Sequence, residues 1–100
     1  IDLPTFFPEN ISLQQNFPNP FNASTTIKYR LLISEQVSIS IFDLSGEKLK
    51  TLLDMYTYPG EYSIVWEGRN DAGEDVPIGV YFLNLFTHKI IENKKMVILK

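Results

Sequence analysis

From Thr25 to Leu32 the chain alternates: Ile27, Tyr29 and Leu31 fall on one side, Lys28 and Arg30 on the other. That is the period of two of a half-buried strand. Val37, Ile39 and Ile41 repeat it against Ser38 and Ser40, and Asp43-Leu44-Ser45-Gly46 closes the segment with a turn whose glycine can take positive φ. Glu47 to Leu53 mixes Leu49, Leu52 and Leu53 with Lys48 and Lys50 and fits a strand or a short helix. Its place one tight turn from its neighbour selects the strand. Beyond Pro59-Gly60, Tyr62, Ile64 and Trp66 alternate with Glu61, Ser63 and Val65, and Arg69 to Gly73 is turn chemistry. Val80 to Thr87 is apolar on nearly both faces, which places it mid-sheet, and His88-Lys89 turns the chain into a last strand, Ile90 to Leu99.

Before these elements, Ile11 to Gln15 reads as a short first strand, and Asn16 to Asn22, NFPNPFN, breaks it. Pro18 and Pro20 have no N–H to give a ladder and push the residues before them toward extended geometry, so the segment is a built corner. Residues 1–10 carry two prolines and no period, the mark of a linker or a capping segment. About seven β segments spaced by about ten residues, with little helical periodicity, predict an all-β, immunoglobulin-like antiparallel β-sandwich.

One hundred residues suffice for one domain, burying roughly two thirds of the unfolded surface. The composition, 44% hydrophobic and 21% charged, is globular. A net charge of −3 supplies no basic field for a polyanion, so nucleic acid is not an expected partner. No apolar run reaches the roughly eighteen residues a membrane-spanning helix needs. With no cysteine, disulfides, thiolate nucleophiles and zinc-thiolate sites are excluded together, while the compartment stays open. The sequence opens at Ile1 without a basic and apolar leader, so the expectation is a piece of a longer protein whose export signal lies upstream.

Candidate chemistry is thin. His88, the one imidazole, falls at a turn where it is expected to be solvated, and the acidic residues are scattered among turns. Asp71, Glu74 and Asp75 offer hard oxygens to Ca²⁺ but lack a metal-loop spacing and read as a solvated hairpin loop. Tyr56, Tyr58, Tyr62, Trp66, Phe82 and Phe86 could form a sugar-stacking platform, yet Tyr62 and Trp66 share the parity of Ile64 and point to the core. Asn10-Ile11-Ser12 and Asn22-Ala23-Ser24 are glycosylation sequons, which matter only in a secretory pathway that reads them. No cofactor and no catalytic residue is expected.

The order of the punctuation is more specific than any one mark. LQQNFPNPFNASTTIKYRL from Leu13, VSISIFDLSGEKLKTL from Val37, GEYSIVWEGRNDAGEDVPIGVYFLNL from Gly60 and KKMVILK at the end together resemble the C-terminal sorting domain, type A, of type IX secretion cargo. Ala23 stands where that family very often has a second proline, and Glu67 where an aspartate is usual; both changes are mild. The PNPFN to GVY pattern also resembles the immunoglobulin-like domain of flagellar hook-capping proteins, but the lysine-bounded apolar terminus fits the sorting signal. The resemblance implies a non-enzymatic address label on an upstream cargo domain, in Bacteroidota-like bacteria. Its partners would be an outer-membrane translocon and a cell-surface transpeptidase that removes the label and attaches the cargo. It would pass through the periplasm and end at the cell surface or outside the cell. The implied signal residues are Pro18, Asn19 and Pro20, then Gly79-Val80-Tyr81, then Lys95, Met96, Val97, Ile98, Leu99 and Lys100, with residues 1–10 as linker or cleavage region and 11–100 as the sorting domain. From the residues alone, the last strand is expected at a sheet edge with its backbone groups exposed and its lysines guarding against aggregation or offering charge to an acidic groove. A carbohydrate-binding or structural module is the alternative.

Overall fold

The structure is a computed structural model and describes residues 11–99. Seven strands form: β1 (Ile11–Leu13), β2 (Thr25–Leu31), β3 (Glu35–Phe42), β4 (Lys48–Thr57), β5 (Gly60–Trp66), β6 (Gly79–Phe86) and β7 (Ile91–Ile98). They make a three-stranded sheet, β1-β2-β5, and a four-stranded sheet, β4-β3-β6-β7, and every strand pair is antiparallel. This is the expected immunoglobulin-like sandwich. The predicted linker, residues 1–10, and Lys100 lie outside the described residues.

The alternation read from the sequence is the reason for the packing. Ile27, Tyr29 and Leu31 of β2 face Val37, Ile39 and Ile41 of β3 and Leu83 and Leu85 of β6 across one core, all of them buried. Trp66 lies at one end of that core, edge-on to Phe21 at 5.8 Å and to Tyr81 at 5.9 Å between ring centres. Each such pair adds about 0.5–1.5 kcal/mol to the area it buries. Strand β6 is interior to its sheet, between β3 and β7, as its two-faced apolarity predicted.

Strand β4 runs four residues past the predicted end at Leu53. Register shifts in the β3–β4 ladder, between Ile39 and Ser40 and between Ile41 and Phe42, break the period of two and hid the continuation from a pattern reading. The Asp43–Glu47 turn is closed by one carboxylate: Asp43 Oδ1 accepts from the Ser45 N–H and hydroxyl and from the Glu47 N–H. The Ser45 hydroxyl bond, followed by that of the Glu47 N–H, holds the Asp43 carboxyl below its ordinary range.

The chain passes from β1 into the corner and from β7 to its end at the same pole of the sandwich. Strands β1 and β7 both run toward the pole that carries the Asp43–Glu47 turn, whereas the β2–β3, β4–β5 and β6–β7 connections lie at the other. The NFPNPFN segment and KKMVIL are therefore neighbours despite their separation along the chain.

Candidate functional site: a corner seated on the terminal strand

The corner is built on a buried amide. Asn16 is almost wholly inaccessible; its Nδ2 donates to Thr25 Oγ1 at 2.9 Å and to the Pro18 carbonyl at 3.2 Å, and Thr25 Oγ1 donates to the same carbonyl at 2.7 Å. A buried polar side chain with its bonds satisfied fixes one local geometry. Phe17 and Thr26 exchange backbone hydrogen bonds in both directions, tying the corner to β2. The two phenylalanines of the motif then part: Phe17 is 78% exposed, and Phe21 is buried against Trp66.

The far side of the corner lies along β7. The Phe21 N–H donates to the Val97 carbonyl at 3.0 Å and the Leu99 N–H donates to the Phe21 carbonyl at 2.8 Å, a parallel bridge between corner and strand. Asn19 Oδ1 accepts from the Val97 N–H at 2.9 Å, and its Nδ2 reaches the Lys95 carbonyl at 3.4 Å. Gln15 Nε2 donates to that carbonyl at 2.8 Å. Strand β7 is the edge of its sheet, as expected. The expectation that its backbone groups would be exposed is corrected here: from the Lys95 carbonyl to the Leu99 N–H the outer edge is occupied by Gln15, Asn19 and Phe21. A strand edge left open invites pairing with other chains, and this half is closed.

The ladder between β6 and β7 sorts the predicted signal residues by face. Tyr81 pairs with Met96 and Gly79 with Ile98, and Tyr81, Met96 and Ile98 are buried. Their part is to anchor the strand. The Tyr81 hydroxyl donates to the Pro77 carbonyl at 2.6 Å, and burial, with the nearby Asp43 charge second, raises its pKa. On the other face Val80 pairs with Val97 and Phe82 with Lys95. Val80, Val97 and Phe82, with exposed Leu99, Ile78 (62%) and Leu44 (71%), form an apolar strip bordered by Lys95. Beside it a shallow hollow of about 350 Å³ opens between Asp43–Ser45 and Ile78–Tyr81. Pro18, Asn19 and Pro20 are all exposed next to the terminal strand.

Of the predicted signal residues, the fold thus brings Pro18, Asn19, Pro20, Lys95, Val97 and Leu99 to one surface and sends Tyr81, Met96 and Ile98 inside. Sequence reasoning missed Gln15 and Asn16, whose polar side chains gave no periodic signal. It also passed over Phe82 as a readout residue and named Val80 only inside a motif, although the outward parity of both was legible once β6 and β7 were paired. Elsewhere the readings stand. His88 is exposed, with Nδ1 3.8 Å from Oε1 of a buried Glu35 that the sequence did not mark. The acidic loop is a turn organised by Asn70, whose Oδ1 accepts from the Ala72 and Glu74 N–H groups. Trp66 is core, and the exposed pair Tyr56 and Tyr58 meets at 88°, so the two rings present no flat platform for a sugar.

The profile of a family described as the secretion system C-terminal sorting domain matches residues 15–65. No curated protein matches the chain. Among solved structures, the chain superposes on the dimeric latent PorU from Porphyromonas gingivalis with a TM-score of 0.70 and 22% identity. That match covers 89% of this chain and 9% of PorU. FlgD from Xanthomonas campestris, whose structure is described as giving insight into the hook capping essential for flagellar assembly, aligns with a TM-score of 0.58 at 18% identity, over 88% of this chain and 66% of that one. FlgD from P. aeruginosa gives 0.56 at 17%, over 76% and 64%. The chain spans less than two thirds of each of these proteins, and at such identities the likeness is one of fold.

Proposed function

Because the chain belongs to the secretion system C-terminal sorting domain family, a family of sorting signals and not of enzymes, we propose that it is the address of an upstream cargo in type IX secretion. The outer-membrane translocon reads it during passage through the periplasm. The cargo is then delivered to the cell surface or beyond, where a transpeptidase cuts in the region of residues 1–10 and attaches the released cargo. Residues 11–100 act as the sorting domain.

The observation that supports this reading most is the joining of the two sequence motifs into one surface. Asn19 and Val97 are 78 residues apart and hydrogen-bonded. The pairing leaves Lys95, Val97 and Leu99 in a fixed register beside Pro18 and Pro20. A receptor would meet a preorganised strip instead of a loose tail, which lowers the ordering cost of binding.

The test is export of a fluorescent protein fused behind a signal peptide and ahead of residues 1–100, in a bacterium with a type IX system. Deleting residues 95–100 would be ambiguous, because it also removes Met96 and Ile98 from the core. Lys95→Glu with Leu99→Glu alters only exposed side chains. The double variant is expected to melt as the parent does and to leave the cargo in the periplasm. Normal export by a folded double variant would refute the reading.

A further inference from the structure

The corner closes only half of the edge of β7. In a strand, successive residues direct their N–H and C=O groups to opposite sides, and the bonds from Val97 and Leu99 to the corner show that the odd-numbered residues of β7 face outward. The β6–β7 register runs from Ile91 to Ile98 without a shift. Hence the N–H and C=O of Ile91, the N–H and C=O of Asn93 and the N–H of Lys95 also point away from the sheet. Among the described residues none of these five groups has a hydrogen-bond partner. The opposite edge of the same sheet is treated differently. Strand β4 is broken by the register shifts, and Asp71 caps it through the Leu49 carbonyl and the Thr51 N–H. The first half of β7 has no bulge and no proline, and among the described residues it has no cap.

Charge selects what this edge accepts. The whole chain is net negative, yet from Lys89 to Lys95 three lysines stand against one glutamate, Glu92, and none of the three takes part in a salt bridge among the described residues. A second copy would bring two such basic edges together. Exposed Ile91 and Phe86 pair across the ladder and give an apolar contact for one face of an incoming strand.

We propose that Ile91 to Lys95 is a docking edge for an extended, acidic segment of a partner polypeptide, which adds as a strand to the four-stranded sheet and is stopped at Lys95 by the corner. Backbone bonding supplies the affinity and the lysines the selectivity. The inference rests on the sorting reading, with the segment belonging to the export machinery.

A fluorescein-labelled peptide alternating valine with glutamate, titrated by anisotropy into the 100-residue chain, is the probe, and the same peptide with lysine for glutamate is its control. Saturable binding of the acidic peptide alone is expected, with slowed exchange of the Ile91, Asn93 and Lys95 amides. Asn93→Pro removes an outward N–H that takes no part in the β6 ladder, so the variant is expected to fold and to lose binding. Lys94→Glu, which leaves the backbone intact, is expected to weaken the acidic peptide on the order of tenfold. Absent binding, binding unchanged by both variants, equal binding of the two peptides, or self-association of the chain that Asn93→Pro abolishes would each overturn the proposal. In the export assay, a folded Asn93→Pro chain that secretes normally while Lys95→Glu with Leu99→Glu is retained would sink the docking edge and leave the sorting reading standing.

Discussion

Replacing Asn19 with alanine isolates the side chain that clasps the terminal strand. The variant loses a sound bond from the Val97 N–H, 2.9 Å, and a long one to the Lys95 carbonyl, 3.4 Å. The Lys95 carbonyl keeps Gln15, and the two backbone bonds of Phe21 remain. An intramolecular hydrogen bond at a solvent-accessible site is worth about 1 kcal/mol net. With about 1.4 kcal/mol for each factor of ten, its loss favours local opening of the edge about fivefold. Native-state amide exchange should therefore show Val97 exchanging about fivefold faster, with Met96 and Ile98 unchanged because their amides bond to β6. The melting temperature should fall by no more than the roughly 4–8 °C that 1 kcal/mol represents in a domain this size. Asn19→Asp keeps the acceptor for Val97 and should retain its protection. Unchanged Val97 exchange in the alanine variant, or loss of protection spread equally over Val97 and Met96, would refute the idea that Asn19 holds this edge as a local clasp.

Phe21→Ala removes a fully buried ring beside Trp66 and should cost about 3–5 kcal/mol in denaturant unfolding, a large part of the roughly 5–15 kcal/mol a domain has; Phe17→Ala, at an exposed ring, should cost little by the same measurement. Gly79 has φ of +148°, and a methyl group added to its Cα would meet no neighbouring atom, so Gly79→Ala should lose about 1–3 kcal/mol to backbone strain alone, and an unchanged urea midpoint would contradict that. Asp43 has a lowered pKa in the fold, so its contribution to the turn is present above the unfolded aspartate value near 3.8 and is lost as pH falls through the lower folded value. Exchange at Ser45 and Glu47 should rise in that acid window and should become pH-independent in Asp43→Asn.

Most strands were legible because each buries one face and the period of two records which. Strands β2, β3 and β5 follow the alternation of Ile27 to Leu31, Val37 to Ile41 and Tyr62 to Trp66 to within a residue or two. The end of β4 escaped because register shifts change the parity of Leu53 to Thr57 relative to Lys48 to Thr51. Gln15 and Asn16 escaped because a polar residue carries no sign of whether it will be buried and bonded. Asn16 is buried only because Thr25 and the Pro18 carbonyl, brought by the return of the chain into β2, satisfy it.

By itself the sequence determined the sandwich, the corner and the family, since these follow from periodicity, from the missing N–H of proline and from the order of short motifs, and through the family resemblance it offered a list of candidate signal residues. It could not divide that list. Whether Tyr81 or Val80, Met96 or Val97 meets a partner depends on which way the β6–β7 ladder faces the other sheet, and whether an edge is open depends on what lies beside it. Both are long-range matters of pairing. Only the tertiary structure placed Asn19 and Phe21 on Lys95 to Leu99 and, among the described residues, left Ile91 to Lys95 without a cap, because backbone N–H and C=O groups are the same for every residue type but proline and leave no mark in the side-chain pattern.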